Sequence, residues 1–332
     1  MAESDQHPQK EKAAITQKAE RGLLQQIFYH LYTIYLFTAS DLCTTCLQIV
    51  IFGLFGAASG CFSTNPRPTE PVSATTPSSS PMGAAVLTMI GRFSRTFLFV
   101  WLLLLVVQLG NQSVPGAPEE DALNKAWRPI PAGRISQCQV RKVLLPIATV
   151  LALLVSFAQG TYVEAAAFVV TSYIYNDLGG ADVHWLVRNL LNGVGLSLLN
   201  TSALWLAADG YVDARGYVWT TAVGLAIATT IQTADFRDQE GDVARGRRTL
   251  PLVVGDGLAR WTTAALMSVW AVLGPWLCGA GVAGYFLSIV AAGVAAVSLL
   301  VCRTQDADGW SFKLWSVWMT VIYIMPWLSL LP

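Results

Sequence analysis

Tyr217–Pro251 reads YVWTTAVGLAIATTIQTADFRDQEGDVARGRRTLP. Through Ala234 the stretch carries no charge, and as a helix those residues rise about 27 Å at roughly 1.5 Å per residue, close to the hydrocarbon thickness of a bilayer. Directly after Ala234 the composition inverts. Asp235, Asp238 and Asp242 fall three and four positions apart, Glu240 lies among them, and Arg245, Arg247 and Arg248 follow. An apolar span that ends in a block of paired acids and bases is a membrane helix opening onto a charged surface.

Outward from this stretch the same apolar pattern recurs. Further windows run at 42–60, 86–110, 142–158, 161–176, 186–207, 260–279, 282–302 and 312–331, giving nine predicted transmembrane helices in an all-α polytopic membrane protein. With 54% hydrophobic and 13% charged residues, the chain is more apolar than a typical soluble domain. Residues 1–40 read as a polar tail followed by an interfacial helix at 23–37, or a tilted extension of the first span. Residues 41–332 read as one membrane domain, and Cys61–Pro81 as a polar loop within it. The six cysteines have neither disulfide nor metal spacing, and the C-x-x-C of Cys43 and Cys46 reads as packing inside a helix.

The formal net charge is zero, but the cations are unevenly placed. With nine spans, seventeen of the 21 Lys and Arg residues share the side of the N-terminal tail, while Arg67, Arg92, Arg95 and Arg215 fall opposite. Positive charge retained on the cytosolic side puts the N-terminus and the loops after the second, fourth, sixth and eighth spans in the cytosol. No cleavable signal precedes the first span, so the endoplasmic reticulum is the default membrane. The lipid bilayer is the expected surroundings, and no nucleic-acid partner is expected.

Another charged block, the first in chain order, follows the second span, NQSVPGAPEEDALNKAWRPIPAGR, from Asn111 to Arg134. It supplies Glu119, Glu120 and Asp121, then Lys125, Arg128 and Arg134. On one helix Asp235, Asp238 and Asp242 would share a face, where like charges repel unless a cation offsets them. Mg2+ prefers oxygen donors and is commonly held by one or two carboxylates together with substrate phosphates. Glu119, Glu120, Asp121, Asp235, Asp238 and Asp242 are therefore candidate metal ligands, with Asp121, Asp235, Asp238 and Asp242 the candidate catalytic set. The basic residues, Lys125, Arg128, Arg134, Arg245 and Arg248 among them, suit the oxygens of a diphosphate.

These two blocks resemble the signature regions of the UbiA superfamily of intramembrane prenyltransferases and related cyclases. The resemblance rests on Asn124-Lys125-x-x-Arg128-Pro129 after the second span and on Asp235-x-x-Asp238-x-Glu240-Gly241-Asp242 running into Arg248-Thr249-Leu250-Pro251. In the family's first motif only Asp121 keeps its aspartate. Val114 and Ala117 stand at the earlier acidic positions, with Asn111-Gln112 farther back. Together with Tyr175-Asn176-Asp177-Leu-Gly-Gly and His184-Trp185-Leu-Val-Arg188-Asn189, this variant is similar to a fungal branch of membrane-bound terpene cyclases. A Tyr-x-x-x-Lys element of many relatives is matched only by Tyr173 and Asp177, and Arg188 is the expected replacement for its lysine. The resemblance implies that Asn111 and Arg188 join the diphosphate-binding set. It also implies a Mg2+-dependent enzyme that ionises an isoprenyl diphosphate, farnesyl diphosphate by preference. A cyclase would turn it into a sesquiterpene, and a prenyltransferase would pass it to an aromatic or quinonoid acceptor.

Overall fold

The computed structural model describes residues 22–62 and 81–331, so the N-terminal tail and most of the Cys61–Pro81 loop lie outside the described residues. Among the described residues the chain is all helix and connecting turns. Leu23–Thr38 forms α1, and a turn at Ala39–Asp41 separates it from α2, Leu42–Ser59. The 23–37 segment is thus a helix of its own. Next come α3 (Pro81–Ser113), the short α4 (Ala117–Asn124), α5 (Gln137–Gln159) and α6 (Tyr162–Asn176). These are followed by α7 (Trp185–Ala207), α8 (Ala214–Thr230), the short α9 (Gln239–Arg245), α10 (Asp256–Leu277), α11 (Val282–Val301) and α12 (Gln305–Tyr323).

Each of the nine apolar windows overlaps one of these helices, the last only as far as Tyr323, where α12 ends. By length and composition α2, α3 from Ala85, α5, α7 and α11 could cross a membrane. Of the other four, α6 and α8 are shorter, with 15 and 17 residues, and α10 and α12 carry acidic first turns. Local chemistry sets several of the ends. The Asp213 carboxylate accepts from the backbone N–H of Arg215 and Gly216 and so starts α8, the Thr304 hydroxyl starts α12, and Gly160 at φ +77° ends α5.

The core has two packed halves. One joins α2, α3, α5, α6 and α7 around Phe99, Leu103, Leu109 and Leu199, and the other joins α8, α10, α11 and α12 to Phe52 of α2 and Leu204 of α7 around Met267, Ala295, Trp318 and Ile322. Leu196 of α7 packs against both. Large apolar side chains such as Leu154, Phe157, Val163, Val297 and Val301 point outward, as they must when the solvent is lipid. Small residues bring backbones together inside. A Cβ on Gly53 of α2 would lie 2.4 Å from the Ala203 carbonyl oxygen of α7, so only glycine permits that contact.

Candidate active site

Between the two halves, α2, α3, α6, α7 and α12 surround a cavity of ≈ 910 Å³, with the two charged blocks at its mouth. The second block is not the single helix that its spacing suggests. After α8 the chain tightens into a narrower helical turn, Ile231–Ala234, loops through Asp235–Asp238, and only then begins α9. Thr230 leaves helical geometry at φ −131°, and Gln232 sits in the turn that follows. Its side-chain amide donates to the Thr229 carbonyl and the Thr263 hydroxyl, while its carbonyl oxygen accepts from Asn189 at 2.9 Å. The three aspartates consequently do not share one helical face.

Asp235 and Asp238 line the cavity, joined by a turn in which the Asp238 amide donates to the Asp235 carbonyl. Arg188 donates from Nη2 to Asp235 Oδ1 at 3.0 Å, and Asp235 Oδ2 is buried with no hydrogen-bond partner. Burial pushes the Asp235 carboxyl up to about 6, against the pull of Arg188. Asp238 accepts from Lys125 Nζ at 3.4 Å and Arg237 Nε at 3.1 Å. Burial raises Asp238 too, but those two cations outweigh it and hold the carboxyl below its ordinary range. Lys125 is itself lowered, chiefly by burial and by the neighbouring Arg128.

Asp242 stands behind this wall and does not line the cavity. It is 0% exposed and accepts from Arg247 Nη1 at 3.1 Å, while its Oδ2 has no partner. Arg247 and Arg245 close a ring with two other carboxylates. Both donate to Glu120, at 2.6 and 2.9 Å, and both donate to Asp182, at 2.9 and 3.2 Å. Thus α4, the Gly180–Val183 turn and α9 are tied by two guanidinium groups. A Cβ on Gly241 would lie 2.1 Å from Asn124 Nδ2, so the glycine of the Glu-Gly-Asp element is what lets α9 dock on the first charged block. Asp121 is likewise buried behind the mouth, where Arg128 Nη1 donates to it at 2.7 Å and Oδ2 is unpartnered.

Of the residues expected from the sequence, Asn111, Lys125, Arg128, Arg188, Asp235 and Asp238 line the cavity. The others stand elsewhere. Glu119 and Arg248 are exposed, Glu120 and Arg245 belong to the ring, and Arg134 lies over the Tyr29 ring and donates to Thr33. His184 accepts from the Leu186 amide and caps α7, and Asp177 is held by Arg141. Sequence reasoning missed Asp182, Gln108, Asn192, Asp41, Arg237 and Lys313, all but Asp182 cavity-lining. For Gln108 and Asn192 a signal existed, since amide side chains inside apolar windows are costly without a purpose.

For a divalent cation, the unpartnered Oδ2 of buried Asp235 and its neighbour Asp238 offer the hard oxygen donors that Mg2+ takes. No three His, Cys, Asp or Glu side chains are gathered as a ready cage among the described residues. What fits is an open arrangement, with phosphate and water completing the coordination.

The sequence profile of the UbiA prenyltransferase family matches residues 82–321. The chain belongs to the UbiA family. Among curated relatives of this UbiA member, a fumagillin beta-trans-bergamotene synthase of Aspergillus fumigatus is 33% identical over 181 residues, covering 52% of this chain and 60% of that protein. A somaliensene A/B synthase of Streptomyces somaliensis is 30% identical over 235 residues, covering 68% of this chain and 75% of that one. The chain therefore spans three fifths to three quarters of the length of these relatives. Among solved structures, a UbiA homolog from Archaeoglobus fulgidus bound to GPP and Mg2+ superposes with a TM-score of 0.54 at 12% identity, over 89% of this chain and 99% of that one, which establishes the shared fold.

Proposed function

We propose that this UbiA member is a Mg2+-dependent membrane terpene cyclase that ionises farnesyl diphosphate at the cavity mouth and cyclises it to a sesquiterpene hydrocarbon. The observation carrying this reading is the cavity itself, in which Arg188, Lys125 and Arg128 stand beside Asp235 and Asp238 above walls of Leu104, Phe168 and Leu199. Its two ends suit the two ends of an isoprenyl diphosphate.

Asp235 and Asp238 would hold the metal, with Asp121 and Asp242 behind them keeping Arg128 and Arg247 in place. When bound, Mg2+ draws charge from the departing diphosphate. Lys125, Arg128 and Arg188 donate to its oxygens, with Asn111 beside them. The substrate's C1–O bond breaks and its electron pair leaves with the diphosphate. A double bond of the same chain then attacks C1, and loss of a proton from the cyclised cation ends the sequence. The apolar walls keep water from the cation, and the rings of Tyr175, Phe168 and Phe312 offer π-faces to it.

Prenyl transfer to an aromatic or quinonoid acceptor is the second reading, favoured by the family's own description and by a mouth wide enough to be lined from α2 to α12. The proposed setting is the endoplasmic reticulum, with nine spans, the cavity mouth and N-terminus cytosolic, and α1 lying on the leaflet. The bias of cations to one side supports it. Membranes containing the protein, given farnesyl diphosphate and Mg2+ without acceptor, should release a hydrocarbon detectable by gas chromatography and mass spectrometry. Product appearing only with an added acceptor would replace cyclisation by transfer.

A further inference from the structure

Asp235 and Asp238 line the cavity, but Phe236 between them does not. Its side chain is 3% exposed and packs behind the wall with Leu250, Ala259 of α10 and Leu299 of α11, in a small apolar cluster separate from the two main halves. The guanidinium of Arg260, also on α10, lies over the Phe236 ring with Cζ 4.5 Å from its centroid.

Arg260 is held from three sides. It is 1% exposed, and its Nη1 and Nη2 donate side by side to the two carboxylate oxygens of buried Asp308 at 2.6 and 2.8 Å. Nε donates to Asp256 at 2.9 Å, and Nη1 also donates to the Leu299 carbonyl at 2.8 Å. The acids in the first turns of α10 and α12 therefore meet at one arginine beneath the aspartate turn. A forked, charge-assisted arrangement of this kind fixes the guanidinium plane as well as its place. The backbone of the turn is tied to the same helices. Gln239 Nε2 donates to the Phe236 carbonyl at 3.0 Å and to Asp256 at 3.4 Å, and Gln305 of α12 donates to the Arg237 carbonyl at 3.3 Å.

None of Arg260, Asp256 and Asp308 lines the cavity. As a source of stability a buried ion cluster is a poor choice, because desolvation offsets much of its attraction. What the cluster does supply is a rigid base under the one residue whose side chain anchors the turn between Asp235 and Asp238. Groups that orient metal ligands from behind in this way contribute to metal affinity without touching the metal.

We infer that Arg260, clamped by Asp308 and Asp256, is a positioning residue that acts through the Phe236 ring to hold Asp235 and Asp238 where a divalent cation can join them. The inference rests on the metal-binding reading of that turn.

The test separates position from stability. Mn2+, which takes the same oxygen donors as Mg2+, is titrated against the purified protein in detergent with farnesyl thiolodiphosphate, an analogue that resists ionisation. Bound metal is read from loss of the free-ion electron paramagnetic resonance signal, independently of turnover, and melting is recorded on the same samples. Phe236→Leu keeps an apolar side chain but removes the ring, and Arg260→Lys keeps the charge but loses the fork. Each should weaken Mn2+ binding by about tenfold, the scale on which groups supporting metal ligands act. The double variant should bind no more weakly than Arg260→Lys alone, because both changes break one contact. Met267→Ala, which opens a cavity in the core about two turns farther along α10, should lower melting and leave Mn2+ affinity within about twofold of native. Unchanged affinity in either single variant, additive losses in the double variant, or an equal loss in Met267→Ala would overturn the positioning role. If Arg260→Lys does not accumulate, Phe236→Leu decides alone. Should the native protein take up no Mn2+ beyond what the analogue binds in buffer, the metal reading itself fails and the inference falls with it, whereas tight native binding shared by the variants refutes only the positioning.

Discussion

Asp235 and Asp242 lie seven residues apart, both fully or almost fully buried and both facing an arginine, yet their surroundings differ. Each keeps one oxygen without a partner, but Asp235 lines the cavity beside Arg188. Asp242 faces a closed ring in which Arg245 and Arg247 are shared among Glu120, Asp182 and Asp242. The same chemistry thus faces a cavity in one place, where we propose a ligand binds, and ties loops together in the other. What separates them is access to the cavity.

That contrast is open to direct attack. The largest expected effect is on the cavity side, where Asp235→Ala or Asp238→Ala should lower turnover by roughly a thousandfold, in line with the loss of an electrostatic group at a reacting centre. Detergent-solubilised melting should move little for Asp238→Ala, whose carboxylate is part-exposed, and should fall for Asp235→Ala, which strips buried Arg188 of its partner. Near-native turnover in both variants would remove the proposed metal role.

On the ring side the order reverses. Arg247→Ala leaves Asp242 buried without its cation and Glu120 with Arg245 alone, and should destabilise the protein by about 3–5 kcal/mol, the cost of breaking a buried pair by removing one partner. Melting and membrane yield are the readouts. Arg248→Ala, on an exposed neighbour, should change stability by less than about 0.5 kcal/mol. Equal effects at the two positions would mean the ring does not hold the loops.

A smaller effect should separate the two regions by pH. Because burial puts the Asp235 carboxyl at about 6, it is ionised at pH 7 and protonated as the pH falls through that value. Proton and metal then compete, and the Mg2+ concentration for half-maximal activity should rise about tenfold between pH 7 and pH 5. A flat requirement would show that another group binds the cation. Smallest of all is Glu119→Gln, which should alter turnover by less than about twofold, since that side chain is exposed.

The sequence made the helices legible because apolar length is a local property, and every one of the nine windows overlaps a helix, though only five helices are long and apolar enough to cross a membrane. It also put forward Asp235, Asp238 and Lys125, since charges beside an apolar span are few and conspicuous, and the family resemblance added Arg188; all four line the cavity. The ring was hidden for physical reasons. Asp182 reaches Arg245 and Arg247 across more than sixty residues of chain, and no periodicity connects them. Nor does spacing distinguish Arg247 from Arg248. That depends on Gly246, whose φ of +76° ends α9, after which Arg247 is buried against Glu120 and Arg248 is exposed. The single helical face expected for the three aspartates failed because the chain leaves helical geometry at Thr230, and Gln232 in the turn that follows bonds to neighbouring helices where α8 would have continued.

Release of diphosphate from farnesyl diphosphate, measured with Mg2+ in reconstituted membranes for the native protein, Asp235→Asn and Glu120→Gln, tests the central distinction most directly. Asp235→Asn should abolish release while the protein remains folded, and Glu120→Gln should lower melting more than it lowers release per folded molecule. Full release by Asp235→Asn, or loss of release in a fully stable Glu120→Gln, would contradict the separation of the cavity wall from the ring.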